Sequence, residues 1–296
     1  MFLHSPEGIY SVPEAGGALT TVFTEPKQTI QNPINFLADG RILVTNGNGE
    51  AGTIPRTGGP ITPLAIVLPS ADDFCGLDPA TNELYAVGAN ERVVVFNLTT
   101  LTSRMLAASP KRFSRCTLLS TGVYGHHAAT LVGGNLDAQS VVELPRDGSA
   151  AIIHALAPTA FGSEDGDGLA FLEGLALYIP SRNTDADFPV SRTDLAAMND
   201  RVVHSFLGDT SFIGEAVSAR RFGALRNRAV DRNDIATWLV EVVVLDANTT
   251  SATDPTIATL ALSDECRFDA VGFGTTELFI AQRHNTRGVN LYAIPF

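Results

Sequence analysis

A motif anchored on phenylalanine recurs four times in this chain, and the recurrence limits the possible folds more than any other feature. Its copies are Asp73-Phe74-Cys75-Gly76-Leu77, Arg112-Phe113-Ser114-Arg115-Cys116, Arg221-Phe222-Gly223-Ala224-Leu225 and Arg267-Phe268-Asp269-Ala270-Val271. Downstream, Leu77–Val87 matches Val271–Ala281 without a gap, each reading as two short strands around a turn. Ile34–Val44, and Asp167–Phe171 leading into Leu175–Ile179, keep the hairpin but lack the phenylalanine. From Phe74 to Phe268 is 194 residues in four steps, about 48 per step. A unit that short cannot bury both of its apolar faces alone, so its copies must stack on one another.

The strands themselves are legible as strand-like segments: Ile42–Thr45, Leu84–Val87, Val93–Phe96, Val141–Leu144, Leu175–Ile179, Val242–Leu245, Leu278–Ala281 and Leu291–Ile294. Only the short stretch Asp194–Met198 suggests a helix between them. The 26 Gly and 16 Pro are spread along the chain, as many turns require. These features predict an all-β fold, a β-propeller of four-stranded antiparallel blades filling residues 1–296 as one domain. Six blades are preferred and seven stay open, because Gly8–Val12 and Asn290–Phe296 both read as third strands. Residues 18–23 either close the last blade as its fourth strand or belong to an incomplete seventh blade.

Composition narrows the partners. The chain carries 32 acidic and 20 basic residues, a net charge of −12, and its only lysines are Lys27 and Lys111. Such a surface repels phosphate backbones and anionic lipids, so neither nucleic acid nor membrane is an expected partner. The arginine bias with abundant alanine and acid suggests a bacterial, high-GC or salt-adapted source. No apolar run is long enough to cross a bilayer as a helix, and the start Met1–Pro6 does not read as a signal peptide. Cys75, Cys116 and Cys266 are too few for a disulfide framework, and an odd count leaves at least one thiol unpaired within the chain. Burial near a crowded axis is their expected role.

Asn32-Pro33-Ile34-Asn35-Phe36-Leu37-Ala38-Asp39-Gly40-Arg41-Ile42-Leu43-Val44-Thr45 resembles the first hairpin of the six-bladed TolB-like and gluconolactonase-like propellers. Gly8–Gly17 resembles a third strand and turn common in secreted bacterial propellers. A mature secreted or periplasmic protein is therefore preferred over a cytoplasmic one. In a propeller the innermost strand of each blade lines the channel, and the position two before Leu77 is occupied by Asn32, Cys75, Ser114, Asp167, Gly223 and Asp269. The gluconolactonase-like resemblance implies that Asn32, Asp167 and Asp269, with Glu7 or Glu164, hold a calcium or magnesium ion. Cys75, Ser114 and Gly223 depart from that ring, and Asp and Asn also serve tight turns.

Beside this ring, Arg112, Arg115, Arg221 and Arg267 either clamp an anionic ligand or tie neighbouring blades to Asp73, Asp165 and Asp269. His126 is a candidate ligand contact, although His126 and His127 should face opposite sides of their strand. The run with Asp185 and Asp187, and Asp194 at the twelfth place, partly resembles a calcium loop but has Phe188 where glycine is needed. It is expected to be an acidic insertion, so residues 181–200 form a candidate binding loop. No nucleophile elbow or zinc-protease motif is present. The first expectation is a non-catalytic, monomeric propeller that binds a small molecule, glycan or protein at the channel mouth. The alternative is a metal-assisted hydrolase or lyase using the channel cation.

Overall fold

The computed structural model describes residues 2–5, 8–13, 18, 20–24, 35–46, 48–67, 74–88, 92–111, 114–127, 131–132, 135–136, 140–155, 168–179, 188–196, 199–206, 210–218, 221–228, 239–246, 255–261, 266–273, 276–284 and 288–296. They contain no helix. They fall into two compact units, Met1–His127 with Ser140–His154, and Ala128–Gln139 with Ala155–Phe296.

The first unit is a train of antiparallel meanders. Its first sheet runs β1 (Phe2–Ser5), β2 (Gly8–Ser11), β3 (Thr20–Thr24), and its second β4 (Asn35–Phe36), β5 (Ile42–Thr45), β6 (Glu50–Ile54), β7 (Thr62–Val67). The third runs β8 (Phe74–Asp78), β9 (Glu83–Val87), β10 (Val93–Asn97), β11 (Thr102–Met105). In the fourth, β12 (Ser114–Leu118) and β13 (Gly122–His127) are followed by the two-stranded ribbon β14 (Leu131–Val132) and β15 (Asn135–Leu136), which belongs to the second unit. The sheet is completed by β16 (Ser140–Pro145) and β17 (Ile152–Ala155).

The second unit continues the pattern. Its fifth sheet is β18 (Gly168–Leu172), β19 (Leu175–Ile179), β20 (Phe188–Asp194), β21 (Asn199–Phe206). The sixth is β22 (Thr210–Ser218), β23 (Arg221–Arg228), β24 (Leu239–Asp246), β25 (Thr256–Ala261). The seventh is β26 (Cys266–Phe273), β27 (Glu277–His284), β28 (Gly288–Pro295).

Strands in the middle of a meander are buried on both faces, which is why they read as largely apolar segments. Successive residues point to opposite sides and so serve different neighbours. On β5, Ile42 and Val44 join Ile9, Val22 and Ile54, whereas Leu43 joins Leu37, Ala51, Leu84 and Leu98. On β9, Leu84 goes to that second cluster, and Tyr85 to a third with Cys75, Val93, Val95, Val123, Val142 and Leu144. In the second unit, Leu225, Val240 and Val242 of the sixth sheet meet Leu278 and Ile280 of the seventh. Gly223 allows this approach, since a Cβ there would stand 2.7 Å from Leu278 Cδ1 and 2.9 Å from Phe273 Cζ.

Four expectations change. Thr20–Thr24 pairs with β2 instead of closing the last sheet, and the described residues build seven meander sheets, the first and last with three strands. Asp194 ends strand β20 and its Oδ1 accepts a hydrogen bond from the Ala196 amide at 3.0 Å, so Asp194–Met198 opens as a strand end and turn instead of a helix. Phe188–Asp194 pairs with Asn199–Phe206 as β20 and β21, so this part of the 181–200 stretch is strand instead of loop, and no calcium loop runs through Phe188 to Asp194. Finally, Phe222 lies on β23, the second strand of its sheet; the first strand is β22, with Phe212-Ile213-Gly214.

Candidate functional site

The start of the first strand is irregular in the same way in four sheets. On β8 the pairing with β9 slips by one residue between Phe74 and Gly76, leaving Cys75 as the extra residue. The slip recurs between Ser114 and Thr117 on β12, between Phe212 and Gly214 on β22, and between Phe268 and Ala270 on β26. The residues at these bulge positions are Cys75, Arg115 or Cys116, Ile213 and Asp269. This set replaces Gly223 with Ile213, because β23 is not a first strand.

In the first unit two of these positions are spent on a covalent bond. Cys75 and Cys116 form a disulfide with their Cα atoms 4.7 Å apart, 41 residues apart in the chain. It joins the first strands of the third and fourth sheets, where a Cβ on Gly76 would meet Leu118 Cβ at 2.7 Å. The expectation that these thiols are simply buried is thereby corrected. Cys266 begins β26, with its side chain outside the description.

Beside the same end of the fourth sheet, His126 lies opposite Ser114 and Val141, and His127 opposite Ser140. His126, His127 and Ser140 are all buried, with Ser140 only 1% exposed. The two histidines take opposite faces, as the strand alternation requires. Among the described residues Ser140 Oγ has no hydrogen-bond partner. His126 shares its face with Tyr124 and Glu143, and Glu143 Oε2 is 2.8 Å from His154 Nε2.

The other candidates are dispersed. Arg112, Asn32, Asp167, Glu7, Glu164, Asp73, Asp165, Asp185 and Asp187 lie outside the described residues. Arg115 and Arg267 stand on first strands, with side chains outside the description. Arg221 is elsewhere: it lies at the hairpin end of β23, opposite Asp246, with its guanidinium carbon 4.6 Å from the centre of the Phe296 ring. Phe296 in turn meets Phe273, at the far end of β26 from Arg267. Arg221 and Arg267 thus occupy opposite ends of the stacked sixth and seventh sheets. Among the described residues no group of three His, Cys, Asp or Glu is placed to hold a metal ion.

Arginines do tie sheets together, but at the hairpin end and through residues that sequence reasoning missed. Arg146 donates to Asp78 Oδ2 at 2.6 Å and to the Leu119 carbonyl at 3.1 Å, and its guanidinium carbon lies 5.5 Å from the centre of the Tyr85 ring. Tyr85 donates to Glu83 Oε2 at 2.8 Å, and Arg104 reaches Glu83 at 3.3 Å. Burial pushes the Asp78 carboxyl up, but hydrogen bonds from Arg146, the Ala80 amide and Thr81 outweigh it and the net shift is downward. Burial, then the bond to Glu83, pushes the Tyr85 phenol up to about 12.

A raised phenol keeps its proton in the folded state after the unfolded chain has lost it. Its stabilising effect is therefore whole below the unfolded value near 10, and is lost as pH rises toward 12. Tyr85→Phe is expected to flatten the fall in stability across that window, a difference of about 2 kcal/mol in alkaline urea unfolding. Equal alkaline slopes for the two proteins would remove Tyr85 from the account.

No family model matches this chain, and no curated protein matches it. Among solved structures it is similar to a streptogramin B lyase (TM-score 0.57, 11% identity, 97% of this chain and 87% of the other). It is also similar to a catalytically inactive virginiamycin B lyase from Staphylococcus aureus with quinupristin (TM-score 0.56, 10% identity, 94% of this chain and 86% of the other). A weaker likeness is to a putative TolB from Agrobacterium tumefaciens (TM-score 0.45, 17% identity, 70% of this chain and 77% of the other). The streptogramin B lyase is a β-propeller, and at such identity the likeness shows the fold. The chain has an all-β propeller-class fold.

Proposed function

We propose that this chain is a non-catalytic binding propeller that takes a small molecule, glycan or protein segment at the end where its first strands begin. The supporting observation is the recurrent bulge. The residues at the bulges differ from sheet to sheet: a disulfide pair in the first unit, Ile213 and Asp269 in the second. Within each unit, such unlike residues suit an asymmetric ligand better than the uniform oxygen donors a cation takes. The buried Ser140 hydroxyl at this end of the fourth sheet has no hydrogen-bond partner among the described residues, and a ligand could supply one. The Cys75–Cys116 bond supports maturation in an oxidising compartment, such as a periplasm or the extracellular space.

A second reading is a metal-assisted hydrolase or lyase with calcium or magnesium on Asn32, Asp167 and Asp269. It is favoured by the place of Asp269 on the β26 bulge. Fold likeness to lyases does not carry their chemistry, because one architecture hosts many activities. A glycan array and a library of small carboxylates and amines, read by thermal shift, distinguish the two. The binding reading expects hits that survive chelation, are recovered unaltered, and are lost in Ile213→Arg. Hits that need calcium or magnesium, or that are turned over, support the second reading. An array without hits overturns the first.

A further inference from the structure

The outer strands β11 and β17 each leave one large apolar side chain exposed, Met105 and Ile152, whereas β7 turns out several apolar residues together. On β7, Leu64 and Ile66 pack inward beside Phe96 and Leu98 of the third sheet, while Pro63, Ala65 and Val67 face outward. Val67 is 66% exposed and neighbouring Ile61 37%. The pairing with β6 slips by two residues between Glu50↔Val67 and Gly52↔Pro63. The slip opens a groove of about 450 Å³ whose floor and wall include Val44, Gly52, Pro63, Ala65 and Val67, with Glu50 at one end.

The groove lies on the side of the second sheet that faces the first. Val44 and Ile54 pack there against Ile9 and Val22. The β6–β7 turn touches β3, since a Cβ on Gly58 would be 2.7 Å from the Val22 carbonyl oxygen. Among the described residues β3 is the last strand of its sheet, and Thr20, Thr21 and Thr24 are exposed. One interface further on, the equivalent place is filled: the fourth strand of the second sheet lays Leu64 and Ile66 over Phe96 and Leu98 of the third. The apolar contact between the first two sheets therefore continues outward into a groove shaped for one more strand.

We infer that this groove binds an extended segment of a partner protein, which adds as a strand to the edge of β3 that no described strand pairs. Main-chain hydrogen bonds to β3 hold it, and alternate apolar side chains cover Ala65, Val67 and Ile61. Glu50 at the rim and the net charge of −12 favour a segment that also carries lysine or arginine. They disfavour a second copy of this acidic chain. The surface is separate from the bulged ends of the first strands, so either site can fail without the other.

The probe is a labelled peptide, Lys-Val-Thr-Val-Thr-Val-Lys, titrated by fluorescence polarisation against the whole protein. Saturable binding is expected, weakened about tenfold or more by Val67→Asp. It should be unchanged by Met105→Asp, which puts the same charge on exposed β11. A scrambled peptide without the alternation should bind more weakly. Peptide binding should slow hydrogen exchange at the Thr20–Thr24 amides, which contact with the apolar face alone would leave untouched. No saturable binding, binding indifferent to Val67→Asp, or unprotected β3 amides overturns the inference. So does self-association abolished by Val67→Asp, which would make a second copy the occupant. Loss of thermal-shift hits at Ile213→Arg bears only on the ligand site proposed above.

Discussion

Replacing Cys116 with serine is expected to lower the free energy of unfolding by about 4 kcal/mol, the loop-closure contribution of a bridge this far apart in sequence. The bond closes 41 residues, which hold the whole β8–β11 meander. Without it the unfolded chain gains freedom, while the folded state keeps the apolar cluster of Tyr85, Val93, Val95, Val123, Val142 and Leu144. Cys75→Ser should cost the same, and the double variant no more than either single one. Urea midpoints of the three variants, and of the parent with and without reductant, provide the measurement. Unequal losses, or two free thiols titrating in the native parent, would contradict the assignment.

The second large effect belongs to Arg226 and Glu241, opposite one another on β23 and β24. Their side chains form a salt bridge, and the residues are only 4% and 5% exposed. Glu241→Ala would take the facing carboxylate from a buried guanidinium and is expected to cost about 3 to 5 kcal/mol. Arg226→Met combined with Glu241→Leu removes both charges and should cost much less, because no ion is left without its counter-ion. Denaturant titration of the two variants reads the contrast directly. A Glu241→Ala loss within about 1 kcal/mol of the double variant would show that water or other groups reach the arginine.

How far these features were legible depended on whether a residue acts within its strand or across sheets. The inner strands announced themselves, because burial on both faces makes Val242–Leu245 uniformly apolar and leaves Glu143 as the one polar residue of Val141–Leu144. Hairpins did too: Asp78 caps its own turn at the Ala80 amide, 2.9 Å away. The phenylalanine anchor misled at Phe222, since first and second strands both want a large apolar side chain, and Phe222 is fully buried on β23. Three bulged first strands carry phenylalanine, any residue, then a small one, Phe74-Cys75-Gly76, Phe212-Ile213-Gly214 and Phe268-Asp269-Ala270, but Phe222-Gly223-Ala224 reads the same way, so only the strand pairing tells them apart. In the first of these the small residue admits Leu118 from the next sheet.

The disulfide was hidden for a related reason. Cys75 and Cys116 sit at different offsets from their phenylalanines, and two separate register slips bring them face to face. The Arg146–Asp78 tie spans 68 residues and left no local pattern. Glu83, Tyr85 and Arg104 were equally silent, each an ordinary strand residue until the third and fourth sheets are stacked.

The bridge between Cys75 and Cys116 also governs what happens when the chain is cut. Every connection of the third sheet lies inside the covalent loop, including the hairpin that joins Val87 to Val93. A protease that nicks any of them produces two pieces still linked by sulfur, and the severed strands stay tethered beside their partners. Such a molecule should run as one band without reductant and two with it. The third sheet is the part of this chain that can be broken without being lost.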